Sequence, residues 1–349
     1  MIGTLQKQDI RKLSLDEIKA FFRAHGEKEY RALQVYEWIW MKAATDFDQM
    51  TNLSLSNRQL LKEHFSFQLL SIDKMQRSAD GTIKNAVRLH DGLVVESVLI
   101  PHEKRITACI SSQVGCSLDC RFCATARLKR MRNLSIDEIY DQVVAIREQS
   151  QLFFGRPLTN IVFMGMGEPL LNYANVIGAI DKITSQRGLN MASKRITLST
   201  VGIARMIRKM ADDEVKFNLA VSLHAAIDET RSAIMPINET NTLGDLADAL
   251  RYWYQKTKRK VTYEYVVWQG INDTPDHTRA LLKFCKVIPC KVNLIEYNAI
   301  GDDKFRQAPE SVLQTVMELL ESNGITARVR RSRGKDIDAA CGQLANKDE

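Results

Sequence analysis

Three cysteines in one short stretch constrain this chain more than any other feature. Cys116, Cys120 and Cys123 follow the spacing C-x3-C-x2-C. Free cysteines can act as small core residues, but the polar Asp119 and Arg121 between them fit a core poorly. Structural zinc takes four closed ligands, usually in two pairs, and no second pair stands at a suitable distance. We therefore favour an iron–sulfur cluster held by three thiolates, with one iron open to another ligand.

The cysteine motif, with Phe122 immediately before its last cysteine, resembles the radical S-adenosylmethionine (SAM) superfamily. The resemblance implies one 4Fe-4S cluster on Cys116, Cys120 and Cys123, whose open iron chelates the amino and carboxylate groups of SAM. One electron from such a cluster cleaves SAM to a 5′-deoxyadenosyl radical. The protein then supplies position and excludes water.

Length and composition place the chain among ordinary globular proteins. It has 349 residues, 45% of them hydrophobic and 26% charged, which allows one large domain and a small one. Its apolar runs are too short to span a bilayer, and its N-terminus lacks the apolar core of a signal peptide. We expect a cytoplasmic monomer with no membrane partner. Its seven cysteines indicate metal or redox chemistry rather than a disulfide framework.

The positive charge of the chain is concentrated near its candidate functional cysteines. The formal net charge is +7, and basic residues are dense over 121–132 and 328–335. Two solvated loops would account for this pattern without any partner. Because both stretches lie beside candidate functional cysteines, we favour contacts with the phosphates of a polyanion.

The first 104 residues predict two accessory units. Residues 1–65 have helical periodicity with a capping box at Ser14 and Glu17, and they predict a small basic helical domain. Such a domain is suited to gripping nucleic acid, RNA in particular if the narrower resemblance given below holds. The same module would fit a role in which it only packs on the main domain. Residues 66–104 alternate like strands, with Asp-Gly pairs at the turns, and predict an antiparallel meander that links the two domains. The candidate strands of the meander are 67–72, 84–89 and 93–100.

Residues 105–349 alternate between strands and helices, which predicts a parallel sheet. The candidate strands are 107–111, 160–164, 195–199, 216–222, 260–267, 291–296 and 326–329. With the superfamily resemblance, the expected fold class is α/β: a partial, open TIM-like radical SAM barrel. The small helical domain and the meander precede this barrel, and a segment with Cys341 ends it.

Polar residues follow several of these strands, where a parallel barrel places its functional groups. Gly167 lets the backbone approach a ligand closely, and the Glu168 carboxylate is suited to the ammonium group of SAM. Such a turn alone is most often only a loop. Ser199 is suited to a ribose or carboxylate, or equally to capping the next helix. The other candidates for SAM binding are Ser222, Leu223, His224 and Asn298, although a lone histidine is more often structural.

Five motifs together resemble a narrower family, the dual-specificity methyltransferases that act on adenine C2 of 23S rRNA and tRNA. The motifs read SSQVGC, MGMGEPL, LST, SLH and DIDAACGQL, and the likeness spans nearly the whole chain. It implies methylation of a loop adenine at the peptidyl transferase centre and of the tRNA adenine 3′ of the anticodon. It also implies two SAM molecules per turnover and a reducing partner such as flavodoxin. The target adenine must be presented unstacked.

The resemblance also implies catalytic roles. Adenine C2 is not nucleophilic, so direct transfer of a methyl cation from SAM should fail. Cys341 is implied to take a methyl group first and then to add to C2 as an S-methylene radical, while Glu96 removes the C2 proton. Cys109 is implied to attack the Cys341 sulfur, forming a transient disulfide that releases the RNA. Cys341 reacts as a thiolate, and four nearby basic residues would favour that form: Arg330, Arg331, Arg333 and Lys335.

The chain departs from the family pattern in two places. Ala124 and Ala126 follow the last cluster cysteine, where the family commonly has Ser and Gly, so the path of that loop is open. Asn298 lacks the Trp before it and the Pro after it that the family often has, so we expect different stacking there. We assign the remaining cysteines, Cys285 and Cys290, to packing.

Two other functions remain open from the residues. The related C8-methylating enzyme that confers ribosomal antibiotic resistance shares the cluster motif, both extra cysteines and the barrel. A metal-binding RNA protein without catalysis would hold zinc and would not cleave SAM. The groups at several strand ends argue against this second alternative.

Overall fold

Ten strands of one sheet carry the fold in the computed structural model, which describes residues 7–301 and 304–346. Numbered in chain order, each strand lies beside the next one along the chain. The strands are β1 (Ser71–Arg77), β2 (Ile83–Arg88), β3 (Val94–His102), β4 (Arg105–Cys109), β5 (Asn160–Phe163), β6 (Ile196–Thr200), β7 (Asn218–Ser222), β8 (Val261–Val266), β9 (Cys290–Ile295) and β10 (Thr326–Arg330). Strands β1 to β4 pair antiparallel, and β4 to β10 run parallel.

Helices return the chain between the parallel strands, and three further helices precede the sheet. The helices are α1 (Leu15–Ala24), α2 (Tyr30–Trp40), α3 (Leu55–His64), α4 (Ile136–Phe154), α5 (Tyr173–Thr184), α6 (Ala204–Asp212), α7 (Asp228–Ile234), α8 (Leu243–Thr257), α9 (Pro275–Cys285) and α10 (Glu310–Ser322). The capping box predicted at Ser14 and Glu17 opens α1. Within the described ranges, every helix is too short or too polar to cross a membrane.

The parallel strands form an open barrel. Strand β4 is the first parallel strand and β10 the last, and no ladder between these two strands closes the sheet within the part of the chain that the structure describes. Apolar side chains of the sheet and its helices form one large core, which includes Phe163, Trp253 and Tyr263. The predicted α/β architecture with a parallel, open sheet is confirmed. Its open side lies between β4 and β10.

The meander is part of the main sheet rather than a separate connector. Strand β3 pairs with β4 along Val98–His102, so the antiparallel strands extend the barrel sheet directly. The strand predicted over 67–72 is wrong, because the ladder begins only at Ser71. Residue Gln68 bonds elsewhere: its N–H donates to Asp9 Oδ2 (2.9 Å) and its carbonyl oxygen accepts from Arg11 Nη2 (2.8 Å). The domain boundaries at 65 and 104 stay a prediction.

The N-terminal helices pack on helix α4. The buried Arg11 guanidinium donates to Asp141 Oδ2 on α4 (2.6 Å) and to Asp9 Oδ2 (2.8 Å). The Tyr140 hydroxyl donates to the Trp40 carbonyl oxygen (2.7 Å), and the two rings meet edge to face with centroids 5.1 Å apart. The helical module is therefore fixed to the main domain. Contact of this module with RNA stays a prediction.

Candidate active site

One cavity at the carboxyl ends of the parallel strands gathers most of the predicted site residues. It lies between the loop that carries the three cysteines and the ends of strands β5 to β10. Its lining includes Cys116, Cys120, Cys123, Gly167, Glu168, Ser199, Ser222, His224, Asn298 and Cys341. Parallel strands all deliver their carboxyl ends to one edge of the sheet, which explains why residues from distant parts of the sequence meet there.

The cysteine loop is held by a short antiparallel pair. Residues Gln113–Val114 pair with Arg132–Asn133, so the chain leaves the barrel and returns beside itself. Gly115 has a φ of +71°, and a Cβ there would lie 2.3 Å from the Lys129 carbonyl oxygen, so only glycine fits this crossing. The loop between these strands carries all three cysteines into the cavity.

The three thiols share a buried environment. Burial raises the pKa of Cys116 to about 11, and burial together with Cys123 raises that of Cys120 well above its ordinary value. Burial also raises the pKa of Cys123. A bound cation would oppose this rise, because it stabilises the thiolates.

The donor set fits an iron–sulfur cluster better than a single zinc ion. Among the described residues, no three His, Cys, Asp or Glu side chains converge closely enough to hold one metal ion. Even so, the three cysteines line one cavity and lie within electrostatic reach of one another. In an iron–sulfur cluster each thiolate binds an iron of its own, so the three sulfur atoms need not converge on one ion. Phe122 lines this end of the cavity, and its ring contacts Trp268, which in turn contacts Phe305.

The glycines before Glu168 serve mainly the approach of two backbone segments. Gly167 has a φ of +92°, and a Cβ there would lie 2.5 Å from the Gln113 side chain. A Cβ on Gly165 would lie 2.7 Å from the Ile110 carbonyl oxygen. The expectation that these glycines admit a ligand is therefore incomplete, because they first admit the chain that leaves β4.

Glu168 lies buried with both carboxylate oxygens in use. Oε1 accepts from the Leu170 N–H (3.0 Å) and Oε2 from the Val201 N–H (3.0 Å). Burial raises the pKa of Glu168 to about 7, although these amides and Thr200 oppose the rise. A ligand ammonium group would supply the positive charge that favours the ionised carboxylate. This is consistent with the predicted contact to the SAM ammonium group.

Two serine hydroxyls face the cavity. The side chains of Ser199 and Ser222 line it, and neither hydroxyl has a hydrogen bond within the described ranges. The alternative role of Ser199 as a helix cap is wrong, because α6 begins at Ala204 after Ile203. Both hydroxyls therefore remain available to a polar ligand.

His224 is a neutral hydrogen-bond donor at the cavity wall. Its Nδ1 accepts from the Val266 N–H (3.2 Å), which leaves the proton on Nε2. Burial and the charge of Arg231 lower its pKa to about 3. The side chain thus combines a structural bond on one nitrogen with a free donor on the other. Leu223, by contrast, is fully buried and absent from the cavity lining, and it contributes only its backbone.

Asn298 joins the cavity to the segment that carries Cys341. Its Nδ2 donates to the Cys341 carbonyl oxygen (3.2 Å), whereas its buried Oδ1 has no partner among the described residues. The loop after the cluster holds the same segment: the Ala124 N–H donates to the Gly342 carbonyl oxygen (2.7 Å), and Thr125 Oγ1 donates to that of Leu344 (2.6 Å). Ala124 acts through its backbone, so the departure from the family pattern keeps this contact.

Cys341, Arg330 and Cys109 meet at a second cavity of about 540 Å³. Cys109 ends strand β4, and burial with the nearby Cys341 raises its pKa to about 12, while Arg330 acts in the opposite direction. Interaction with Cys341 and Glu264 raises the pKa of Arg330 despite its burial, so the guanidinium stays charged. A cation beside a sulfur atom favours its thiolate form.

Only one of the four basic residues expected to assist Cys341 faces it. Arg331 binds Glu296 (2.8 Å) and Glu310 (2.6 Å), and Lys335 binds Glu296 (2.8 Å). Arg333 lies 3.8 Å from Asp80. Three of the four cations therefore form ion pairs with carboxylates from other parts of the chain. Arg330 is the one of the four that lines both cavities together with Cys341.

Glu264 is a site residue that the sequence reasoning missed. It lies in the middle of β8 and lines both cavities. Its Oε1 accepts from Asn293 Nδ2 (2.8 Å), and its Oε2 lies 3.7 Å from Arg330 Nη1. The available signal was a lone carboxylate in the run Val-Thr-Tyr-Glu-Tyr-Val, within a parallel strand whose faces are normally apolar.

Glu96 is not brought into either cavity. Its buried carboxylate lies 3.2 Å from Lys84 Nζ, and its Oε2 accepts from the N–H groups of Ala345 (2.7 Å) and Asn346 (3.3 Å). It therefore contacts the segment that follows Cys341 rather than the space beside the sulfur. Its role as the base stays a prediction, and that role requires the residues after Cys341 to move.

Cys285 and Cys290 lie at the turn between α9 and β9, and neither lines the two cavities. The Cys290 thiol donates to the Cys285 carbonyl oxygen (3.4 Å). This arrangement is consistent with the packing role assigned to both residues.

Two regions of the chain match known protein families. Residues 8–67 match the Ribosomal RNA large subunit methyltransferase N-terminal domain, and residues 110–284 match the Radical SAM superfamily. The chain is 63% identical over 344 residues to the probable dual-specificity RNA methyltransferase RlmN of Flavobacterium psychrophilum, covering 99% of each protein. It is 43% identical to the dual-specificity RNA methyltransferase RlmN of Syntrophus aciditrophicus, covering 98% of each.

A solved structure supports the same relationship. The radical SAM methyltransferase from Sphaerobacter thermophilus superposes with a TM-score of 0.90 at 38% identity, covering 97% of this chain and 99% of that one. This similarity, together with the open parallel sheet, confirms the predicted radical SAM barrel.

Proposed function

The chain belongs to the RlmN family of dual-specificity RNA methyltransferases within the radical SAM superfamily, and from this premise we propose that it methylates C2 of adenine in 23S rRNA and in tRNA. The observation that carries the proposal is the convergence of three cluster cysteines, several ligand-binding strand ends and Cys341 on one cavity. A binding protein without catalysis has no need of Cys341 there. That alternative is wrong, because the relatives that match the whole chain are methyltransferases.

The residues that would hold the cofactors follow from the cavity lining. Cys116, Cys120 and Cys123 would bind a 4Fe-4S cluster, which when bound supplies the electron that cleaves SAM. Glu168 would bind the ammonium group of SAM, since its carboxylate is buried and no cation of the described residues pairs with it. Ser199, Ser222, the Nε2–H of His224 and the unpartnered Oδ1 of Asn298 offer further polar contacts.

Cys341 would accept the methyl group and later carry that carbon to adenine. Arg330 keeps its positive charge and lies beside Cys341 at the wall of both cavities. Asn298, Ala124 and Thr125 hold the backbone at Cys341 and in the three residues that follow it, with bonds from both the barrel and the cluster loop. Such fixation keeps the reacting sulfur close to its partners.

Cys109, as thiolate, would release the product by attacking the Cys341 sulfur. The S–S bond of a transient disulfide forms, the bond from that sulfur to the methylene carbon breaks, and this carbon keeps the electron pair and takes a proton to become the 2-methyl group. Both cysteines line the second cavity together with Arg330. Burial and the neighbouring Cys341 raise the pKa of Cys109 to about 12, so the attack also requires removal of the thiol proton.

The remaining parts of the proposal concern partners and place. The RNA targets are the loop adenine at the peptidyl transferase centre and the tRNA adenine 3′ of the anticodon, each presented unstacked at a cost of a few kcal/mol. Each turnover would use two SAM molecules and a reductant such as flavodoxin. We expect the enzyme to act as a cytoplasmic monomer in the processing of rRNA and tRNA.

The first test compares two cysteine variants of the reconstituted enzyme with SAM, a reductant and a tRNA fragment. We expect Cys341→Ala to abolish both 2-methyladenosine and any covalent RNA adduct. Cys109→Ala should trap RNA on Cys341, since the adduct forms but cannot be resolved. Nucleoside mass spectrometry and denaturing gels measure these outcomes, and Cys290→Ala is the matched control with normal turnover.

Two results would contradict the proposal. Methylation at C8 instead of C2 would assign the enzyme to the related resistance activity. Normal turnover by Cys109→Ala would remove the resolving role of Cys109 while leaving the methyl transfer through Cys341 intact.

A further inference from the structure

Cys341 lies on the wall between two cavities. Five residues line both cavities: Met164, Glu264, Ile295, Arg330 and Cys341. The cluster cysteines and Glu168 lie only in the first cavity, whereas Cys109 lies only in the second. The sulfur of Cys341 thus stands between the groups suited to SAM on one side and its resolving partner on the other.

The second cavity occupies the barrel interior on its open side. Residues of both edges line it, with Thr107 and Cys109 from β4 and Arg328 and Arg330 from β10. Parallel barrels normally fill this space with packed branched side chains. Here the inward positions of successive strands are polar, and the space of about 540 Å³ falls in the range of small-molecule sites. The polar lining includes Asn160, Thr197, Thr262 and Asn293.

The charge of this cavity is positive. Glu264 is its one acidic side chain among the described residues, and Glu264 is paired with Arg330. Arg331 and Arg333 are engaged by carboxylates outside the cavity. Arg105 and Arg328 line the opening, and neither side chain has a hydrogen bond or ion pair within residues 7–301 and 304–346. Two exposed arginines without partners at a polar opening are suited to phosphate groups.

We propose that the second cavity is the RNA subsite, in which the target adenosine enters through the open side between β4 and β10 and its flanking phosphates bind Arg105 and Arg328. The inference rests on the proposed function and adds the place of the substrate to it. Cys341 must meet SAM for methyl transfer and adenine C2 for adduct formation, and only a position between two spaces allows both. A base extruded from its stack is the form of RNA that fits such a narrow interior.

A cavity-filling variant separates the two spaces experimentally. Thr262→Phe places a ring in the second cavity, on a residue that does not line the first. We expect the holoenzyme to methylate Cys341 with SAM as the wild type does, as measured by protein mass spectrometry. Formation of 2-methyladenosine should fall at least tenfold, because the base no longer reaches the sulfur.

A charge variant tests the opening without altering the interior. Arg105→Ala combined with Arg328→Ala should weaken binding of a tRNA anticodon stem-loop and leave methylation of Cys341 unchanged. The slope of log Kobs against log salt concentration should fall by about 0.7 for each lost phosphate contact on single-stranded RNA. Arg205→Ala, an exposed arginine on α6 outside both cavities, is the matched control.

Either of two results would overturn the inference. RNA methylation by Thr262→Phe at the wild-type rate would show that the base enters elsewhere, as would an unchanged salt slope in the double arginine variant. Loss of Cys341 methylation in Thr262→Phe would assign the second cavity to SAM. These results differ from failure of the proposed function, in which the wild-type enzyme itself produces no 2-methyladenosine.

Discussion

At the scale of single residues, Arg231 on α7 is an unusual buried cation. Its side chain is fully buried and, among the described residues, donates only to neutral acceptors. These are Asn238 Oδ1 (2.8 Å) and the carbonyl oxygens of Val201 (2.6 Å), Leu223 (3.1 Å) and Ser222 (3.2 Å). Asn238 in turn donates to Asp228 (2.9 Å), so the nearest carboxylate is reached only through an amide. Burial lowers the pKa of Arg231 to about 10, and interaction with Cys120 opposes this, so the charge persists at neutral pH.

The position of Arg231 suggests where its charge is used. The carbonyl groups that accept from Arg231 lie at the carboxyl ends of β6 and β7, beside residues that line the cavity. The helix of Arg231 also contacts the cluster loop, because the Arg121 N–H donates to the carbonyl oxygen of Ile234 (3.0 Å). A buried cation without a direct carboxylate is costly unless another anion compensates it. An anionic cluster on Cys120 would be such a counter-charge.

Replacing Arg231 should therefore lower the reduction potential of the reconstituted cluster. Arg231→Met removes a positive charge that favours the reduced cluster, which is more negative than the oxidised one. We expect the reduction potential to fall by about 59 mV, which corresponds to a tenfold change in the equilibrium constant for one-electron reduction. Arg231→Lys keeps the charge and should shift the potential less. Potentiometric titration followed by electron paramagnetic resonance measures both. Arg259→Met is the control, because the Arg259 side chain contacts Asn218 at the opposite end of strand β7 from the cavity. An equal shift of the reduction potential in this variant would refute the electrostatic effect.

The residue scale also shows which parts of the site the sequence could predict. The cluster cysteines, Glu168, His224 and Cys341 were found because their motifs are local, and strand ends of a parallel sheet meet by topology. The ion pairs that divert Arg331 and Lys335 to Glu296 were not predictable, since the carboxylate comes from a different strand end. Arg231 gave no signal either, because burial of one residue of a short helix depends on what packs over it.

At the scale of elements, the segment after β10 is fixed by residues from several strands. Glu296, at the end of β9, accepts from Lys335 (2.8 Å), Arg331 (2.8 Å) and the Ser332 N–H (2.9 Å). Burial alone would raise the pKa of Glu296, but these partners lower it to about 2. Much of the basic charge before Cys341 therefore anchors the segment, and less of it is available to RNA than the sequence suggested.

This anchor gives stability that depends on pH in a defined direction. Because the folded pKa of Glu296 lies below its ordinary value of 4.5, its contribution is complete above about pH 4.5 and is lost as the pH falls toward about 2. Glu296→Gln should lower the free energy of unfolding by about 1 kcal/mol at neutral pH, since its cationic partners are half exposed and screened. Urea unfolding from pH 7 to pH 3 should show the two proteins converging in acid.

The control for this prediction is Glu310→Gln, which removes the exposed second partner of Arg331. Its effect should stay within a few tenths of a kcal/mol over the same pH range. A difference between wild type and Glu296→Gln that does not change with pH would mean that the loss reflects packing rather than charge.

At the scale of the whole molecule, regular alternation of strands and helices was enough to predict an open parallel sheet. The attachment of the meander was predicted less well, because sequence periodicity identifies strands but not their neighbours. Strand β3 joins the barrel at β4, so the helical module, the meander and the barrel share continuous contacts. Whether the N-terminal helical module packs on the barrel is decided by buried polar contacts such as that of Arg11 with Asp141. These contacts join residues far apart in the sequence, so no local sequence pattern reveals them.

The contact of Arg11 with three carboxylates should decide whether the N-terminal module stays docked. Arg11 binds Asp9 (2.8 Å) and Asp141 (2.6 Å) and lies 3.6 Å from Asp137, all of them largely buried. Arg11→Met would leave Asp9 and Asp141 without this cation, whereas Asp137 keeps its ion pair with Lys12. Breaking a buried pair in this way costs about 3–5 kcal/mol. Urea unfolding should show that loss, whereas Arg23→Met, which removes an exposed pair with Glu29, should leave the free energy of unfolding nearly unchanged. Equal, small effects of the two variants would mean that apolar contacts such as Trp40 with Tyr140 suffice to dock the module.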